Sequence, residues 1–250
     1  MEISQPIIVS TFHTSQSPGS KQYLHIFQSL TDRDQALEAA TIEDEFDHSF
    51  AYLDNGALHV EWRNKAGIIQ FCGSGAYSLA WYFCVHLSLG EVIIKTDTLS
   101  LSAAVDESRN LMLKISKRKA KQFKKESTYQ IFTEEGSGVY LVELSNIESV
   151  SSSSITKLHQ MIGDEDIHGV CAFYWDQSLQ KGYLNYYTPR HGRDQDYVTG
   201  SIHQYLAAIV ENNTGTQKQH WKQLSSSPGE LSILCGKGHV QLYGHCKIQS

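Results

Sequence analysis

The chain has 250 residues, which is enough for one large domain or two modest ones with a proper core. Its 40% hydrophobic and 19% charged residues are typical of an ordinary soluble protein, and its net charge of −6 argues against a nucleic-acid partner. No stretch reaches the ~20 apolar residues that cross a bilayer, and the N-terminus lacks a signal-peptide pattern. We therefore expect a cytoplasmic protein without membrane association.

The five cysteines are spread along the chain and form no Cys-x-x-Cys pair. No histidines show ligand spacing, so the sequence predicts neither a disulfide framework nor a metal site. A phosphate loop and a dinucleotide fingerprint are also missing, and we expect no cofactor. The one basic run, residues 114–125, is interpreted as a solvated connection between domains.

Short alternating segments dominate the first half and predict strands at residues 7–12, 24–27, 49–53 and 57–62. Asn55-Gly56 predicts a hairpin between the last two, because Asn-Gly adopts positive φ at low cost. An apolar helix is expected to open at residues 73–75. Further strands are predicted at 91–96, 99–105 and 111–115, with the last two paired.

The second half repeats this order, with strands predicted at 138–144, 170–175, 181–187, 230–234 and 239–243 and a helix at 151–161. Residues 202–210 are predicted to form a helix that is apolar nearly all round, which indicates burial inside its sheet. We therefore predict an α+β protein with two pseudo-symmetric lobes, each a mostly antiparallel sheet wrapped around a central helix. The lobes are expected at residues 1–117 and 118–239, with a final strand near 240–250 returning to the first lobe.

A tight glycine turn precedes each central helix. The first is Phe71-Cys72-Gly73-Ser74-Gly75, and the second is Tyr197-Val198-Thr199-Gly200-Ser201. The start of a helix leaves backbone N–H groups unpaired at the positive end of the helix dipole, which suits an anion. Two such turns facing each other predict a site for a small carboxylate, held by Gly73, Ser74, Gly75 and Gly200.

Three segments of the second half resemble signatures of one family. Residues 195–203, Gln-Asp-Tyr-Val-Thr-Gly-Ser-Ile-His, are similar to Glu-Asp-Pro-Val-Thr-Gly-Ser-Ala-His. Residues 187–192, Tyr-Thr-Pro-Arg-His-Gly, are similar to Phe-Ala-Pro-Arg-x-Gly, and residues 223–231 to Gln-x-Ser-x-Arg-Gly-Gly-x-Leu. The chain thus resembles the phenazine-biosynthesis (PhzF-like) proteins, which share the two-lobed fold of diaminopimelate epimerase.

The resemblance implies a cofactor-independent isomerase that moves a proton within a small carboxylic or amino acid bound between the lobes. The family's catalytic glutamate aligns with Asp47, which is then expected to be the proton shuttle. Asp196 and Ser201 match family positions that orient the substrate. The family's Cys/Ala-Gly-His turn is Cys72-Gly73-Ser74 here, with serine in place of histidine. A homodimer is also expected.

Two other functions remain open. A thiol at a helix N-terminus has a lowered pKa, so Cys72 could act as a base. With Thr199 in the opposite turn, the pair resembles the dehydratases among the proline-racemase relatives, which implies a lyase that removes water from a hydroxylated amino acid. Positions 47 and 74 depart from the family, with aspartate in place of glutamate and serine in place of histidine. These two differences would instead suit a protein that has lost catalysis and binds a ligand or a partner. Each of these residues also has a purely structural alternative: Asp196 would fix its turn, Ser201 would cap the helix, and Cys72 and His203 would pack in the core. For Asp196 and Ser201 the resemblance favours the functional interpretation.

Overall fold

The computed structural model describes residues 5–163, 165–189 and 194–249. Arg190, His191 and Gly192, which belong to the second resemblance segment, lie outside these residues. In the first half the elements are β1 (Ile7–Thr11), β2 (Ser20–Phe27), α1 (Leu30–Ala39), β3 (Asp47–Asp54), β4 (Ala57–Asn64), β5 (Gly67–Ile69), α2 (Gly73–Trp81) with a π-helical extension (Tyr82–His86), β6 (Glu91–Lys95), β7 (Ser100–Val105) and β8 (Leu111–Ser116).

The second half begins with strands β9 (Lys121–Lys125), β10 (Tyr129–Thr133) and β11 (Val139–Leu144). Helices α3 (Ile147–Ser151) and α4 (Ile155–Ile162) follow, and then strands β12 (Gly169–Asp176) and β13 (Lys181–Tyr187). The remaining elements are α5 (His203–Thr214), β14 (Lys218–Gln223), β15 (Gly229–Cys235), β16 (His239–Tyr243) and β17 (Cys246–Ile248).

The two halves repeat one pattern of strand pairing. In the first half β2 pairs in parallel with β3, β3 antiparallel with β4, and β4 in parallel with β6, after which β6, β7 and β8 pair antiparallel in turn. Strands β11 to β16 repeat these parallel and antiparallel pairs in the same order. The equivalent last strands, β8 and β16, pair with each other and join the halves. The predicted α+β fold with an internal duplication is confirmed.

The central helices α2 and α5 occupy equivalent places in the two halves. All residues of α2 from Gly73 to Ala80 are buried, as are seven of the twelve residues of α5. Both helices contribute to one hydrophobic cluster, which also contains Trp62 and Trp221. Each helix is buried because apolar side chains cover nearly its whole circumference, as its sequence predicts.

The Asn55-Gly56 hairpin is present, with φ of 47° at Asn55 and 79° at Gly56 between β3 and β4. Strand β17 pairs antiparallel with β1, through Val9 and Ile248 among others. The lobe boundaries at residues 117 and 239 stay a prediction. No helix of the described residues is long and apolar enough to cross a membrane.

Three local predictions differ from the structure. The helix expected at 151–161 is two short helices, because the side chains of Asn146 and Ser154 each cap a separate helix start. Helix α1 was not predicted, since only Ala36 and Leu37 of its ten residues are buried and its apolar periodicity is weak. The basic run is more than a solvated connection, because residues 121–125 form strand β9 on β10.

Candidate active site

The two glycine turns meet backbone to backbone. A Cβ atom placed on Gly73 would lie 2.3 Å from the backbone nitrogen of Ser201, and one on Gly200 would lie 2.9 Å from the carbonyl carbon of Gly73. Real Cβ atoms do not approach other atoms so closely. Glycine is therefore required at both positions by the contact between the turns.

A small cleft of about 80 Å³ opens where the turns meet. Its lining residues come from both halves and are Asp47, Asn64, Ile69, Phe71, Cys72, Gly73, Ser74, Tyr186, Thr188, Asp196, Thr199, Gly200 and Ser201. All the residues singled out from the sequence as catalytic therefore lie together in the cleft. Of the four expected to bind the carboxylate, only Gly75 does not line it.

Asp47 is the first residue of β3, and its side chain enters the cleft with only 5% of the residue exposed. The Nδ2 group of Asn64, on the neighbouring strand, donates to Asp47 Oδ1 at 3.3 Å. The thiol of Cys72 donates to Asp47 Oδ2 at 3.6 Å. Aspartate thus places a carboxylate in the cleft although it is one methylene shorter than the glutamate of the resembling family.

Cys72 differs from the sequence-based expectation of a lowered thiol pKa. Its Sγ caps α2 by accepting from the backbone N–H of Gly75 at 3.3 Å, and it lies 3.5 Å from Ser74 Oγ. Burial nevertheless raises the pKa of the thiol, and the negative charge of Asp47 raises it further. These two effects outweigh the contribution of the helix N-terminus, so Cys72 is a neutral thiol near neutral pH.

The second half of the cleft is organised around Asp196. The Thr199 hydroxyl donates a short hydrogen bond to Asp196 Oδ2, and the backbone N–H of Tyr197 donates to Oδ1 at 2.9 Å. Gln223 ties this turn together, because its Oε1 accepts from the Thr199 N–H at 2.9 Å and its Nε2 donates to the Asp196 carbonyl at 2.7 Å. Gln223 is the first residue of the third resemblance segment, so the structure gives that match a physical role.

Ser201 is not the N-cap of the second central helix. Residues 200–202 form a tight turn in which Gly200 O and Ser201 O accept from residues three positions later, and α5 begins only at His203. In the part of the chain that the structure describes, the backbone N–H groups of Ser74, Gly200 and Ser201 have no protein acceptor. Three donors, one in the first turn of α2 and two in the turn before α5, are therefore available to an anion in the cleft.

Gly75 packs against neighbouring side chains and does not line the cleft. Its N–H is used by Cys72 Sγ, and a Cβ at this position would lie 2.8 Å from the indole nitrogen of Trp62. His203 also packs, as its Nδ1 contacts Gly200 O at 3.2 Å and its ring meets Trp221 edge-on. Burial lowers the pKa of His203 to about 4, so the imidazole is neutral.

The sequence reasoning missed three polar lining residues, Asn64, Tyr186 and Thr188. Asn64 and Thr188 stand at the ends of equivalent hairpins, directly before segments that lead to the glycine turns. The internal duplication could have indicated Asn64 and Thr188, but their equivalence can be recognised only once the strand register is known. Within residues 5–163, 165–189 and 194–249, no group of three or more His, Cys, Asp and Glu side chains could hold a metal ion.

No protein-family model matches the chain, and a search of curated proteins found no match. Solved structures do resemble it over nearly its whole length. A PhzF-family phenazine biosynthesis protein of Enterococcus faecalis superimposes with a TM-score of 0.79 at 14% identity, covering 98% of this chain and 96% of the other. A putative phenazine biosynthesis PhzC/PhzF protein of Clostridium difficile gives 0.76 at 15% identity, covering 98% and 97%.

A hydroxyproline epimerase of Agrobacterium vitis, solved with bound trans-4-hydroxy-L-proline, matches with a TM-score of 0.60 at 10% identity, covering 98% of this chain and 90% of the other. At these identities the likeness concerns the fold. The resemblance first read from the sequence motifs is confirmed at that level: the chain has the two-lobed fold of the PhzF-family proteins and of related epimerases.

Proposed function

We propose that this protein is a cofactor-independent isomerase of a small carboxylic or amino acid, with Asp47 as the proton shuttle. The observation that carries the proposal is the shielded carboxylate of Asp47 beside the paired helix starts. A base and an anion site next to each other are what proton removal from the carbon beside a carboxylate requires. The hydroxyproline epimerase with the same fold supports the same class of reaction.

In the proposed reaction the substrate carboxylate lies against the free N–H groups of Ser74, Gly200 and Ser201. Asp47 takes a proton from a carbon of the substrate, and the negative charge that develops is stabilised by these N–H groups and by the two helix dipoles. Asp47 then returns the proton to another position of the substrate. Asp196, which is held by Thr199, and Ser201 orient the substrate during the transfer.

The lyase alternative is less well supported. It needs an activated thiol at Cys72, whereas burial and Asp47 raise the pKa of this group. It also needs the Thr199 hydroxyl, which already donates to Asp196. Cys72 is therefore not available as the thiolate that elimination of water would use.

The test is deuterium exchange in heavy water with a panel of small carboxylic and amino acids, followed by mass spectrometry and NMR. The proposal expects enzyme-dependent incorporation of deuterium at a carbon near the carboxylate of at least one acid. Binding of an acid without any incorporation would contradict it and favour the ligand-binding function. Incorporation that accompanies loss of water from a hydroxylated amino acid would favour the lyase.

A further inference from the structure

Tyr186 is a polar residue of the cleft that the proposed reaction leaves unused. It lies near the end of β13, is partly buried, and lines the cleft beside Thr188. Its backbone carbonyl accepts from the N–H of Asp196 at 2.9 Å, which fixes the strand to the second turn. No group of the described residues makes a hydrogen bond with its hydroxyl.

The duplication relates the surroundings of this hydroxyl to those of Asp47. Asp47 is the first residue of β3 and Gly169 the first of the equivalent strand β12, and both strands have eight residues. Two residues further along, Ser49 pairs with Trp62 in the first half and Cys171 pairs with Tyr186 in the second. Gly169 is thus the counterpart of Asp47, and Tyr186 is the counterpart of Trp62.

The two halves therefore fill the same place differently. A Cβ on Gly169 would lie 2.3 Å from the hydroxyl oxygen of Tyr186 and 2.9 Å from the ring carbon that bears it. The phenol occupies the space that a side chain at position 169 would enter. Where the first half presents a carboxylate to the cleft, the second half presents a hydroxyl.

This hydroxyl is an uncharged donor. Burial raises the pKa of Tyr186, and the neighbouring Cys171 and Asp196 raise it further, so the phenol keeps its proton throughout the neutral range. Three other side-chain donors of the cleft already bond to its carboxylates. Thr199 donates to Asp196, and both Cys72 and Asn64 donate to Asp47.

We propose that Tyr186 is a substrate-binding residue that donates a hydrogen bond to a second oxygen of the substrate, apart from the carboxylate held by the turns. Asp47 and Asp196 already provide acceptors for an ammonium group of the substrate. The Tyr186 hydroxyl is a donor, so it would bind an acceptor oxygen instead. The substrate class is then small acids that carry a hydroxyl or carbonyl oxygen as well as the carboxylate. This inference rests on the proposed function, because it takes the cleft as the site of the substrate.

The test compares acids that differ by one hydroxyl: propionate, lactate and 3-hydroxypropionate. Their dissociation constants are measured by NMR titration for the unaltered protein, Tyr186→Phe and the control Tyr183→Phe, whose ring lies on the opposite face of β13. We expect one hydroxy acid to bind about fivefold more tightly than propionate, a typical net contribution of one hydrogen bond. Tyr186→Phe should remove this preference and leave propionate binding unchanged, while Tyr183→Phe should keep it.

A second variant, Gly169→Ala, addresses the position of the hydroxyl. Its Cβ should displace the phenol and abolish the preference for the hydroxy acid. Gly169→Ala should also lower the melting temperature less in the Tyr186→Phe protein than in the unaltered protein, because the colliding hydroxyl is absent there. The inference is overturned if the unaltered protein binds none of the acids, shows no preference, or keeps the preference after Tyr186→Phe. If the preference behaves as expected but no acid exchanges deuterium, the role of Tyr186 stands and the isomerase proposal fails.

Discussion

Cys72 links the helix start to the proposed base. Its sulfur accepts from Gly75 N, and its thiol donates to Asp47. The hydroxyl of a serine at this position can make both contacts, whereas the methyl group of an alanine can make neither. The residue thus positions Asp47 and caps α2, in keeping with the raised pKa of its thiol.

We predict that Cys72→Ser keeps deuterium exchange within about tenfold of the unaltered protein, because serine retains both the cap and the donor. Cys72→Ala should keep measurable exchange but lower the stability by about 1 kcal/mol, the usual cost of a lost helix cap. Exchange rates and urea denaturation of the two variants measure these effects. Complete loss of exchange in Cys72→Ser would show that the thiol itself reacts.

The chemistry of Cys72 illustrates what the motif could not predict. Cys72-Gly73-Ser74-Gly75 correctly places a cysteine at a helix start, and that position alone lowers a thiol pKa. The pKa is raised instead by burial and by a carboxylate 25 positions earlier in the chain. Neither influence can be read from local sequence, because both depend on how β3 and α2 pack.

At the scale of elements, the contact between the two helix starts is the most demanding feature of the fold. We predict that Gly73→Ala destabilises the protein by at least about 3 kcal/mol, the upper range for overpacking, because its Cβ would collide with the backbone of Ser201. Urea denaturation measures this loss. Gly136→Ala is the matched control: its Cβ meets nothing within 4 Å, so only the strain of φ = +75°, about 1 kcal/mol, should appear.

Equal stability losses in the two variants would mean that the turns can separate at little cost. The same geometry bears on Gly200, where a bulky residue would strike Gly73 as well as obstruct the anion site. Substitution at Gly200 therefore cannot separate binding from folding. The sequence predicted both glycine turns, their helices and that the turns face each other. It could not predict their direct backbone contact, because that depends on how the two halves pack together.

At the scale of the whole molecule, two buried histidines make stability depend on pH. Burial lowers the pKa of His203 to about 4, and burial with the nearby charge of His48 lowers that of His25 to about 4. Both values lie below the 6.5 of an unfolded histidine, so the unfolded chain binds more protons between pH 4 and 6.5. Stability is then fully present above pH 6.5 and is lost as the pH falls toward 4.

We predict that each of these histidines contributes roughly 3 kcal/mol of destabilisation by pH 4 relative to pH 7. Urea denaturation midpoints at several pH values measure this dependence. His203→Asn keeps a donor for Gly200 O but cannot titrate, so its stability should fall less steeply over the same range. A His203→Asn protein with the pH dependence of the parent would show that His203 is not the titrating group.

The duplicated architecture was predictable because each half carries its own apolar helix and its own hairpin signals, such as Asn55-Gly56. The partner and register of each strand were not. The sequence indicated only that a strand near residues 240–250 returns to the first lobe, whereas the structure pairs β16 with β8 and β17 with β1. The equivalence of Asp47 and Gly169, and the role proposed for Tyr186, could not be predicted either, because both depend on the strand register. Long-range pairing thus decides which residues share the cleft, whereas local pattern decides only which elements exist.

The central claim is that Asp47 moves the proton. The most direct measurement is the rate of deuterium incorporation into an exchanging acid for the unaltered protein, Asp47→Asn and Cys72→Ser. Asparagine preserves the shape of the side chain and its contact with Asn64, so the fold should be retained. We predict a ~10²–10⁴-fold slower exchange for Asp47→Asn, the range expected for loss of a general acid–base, with Cys72→Ser nearly unaffected. Undiminished exchange in Asp47→Asn, or a larger loss in Cys72→Ser, would contradict the account.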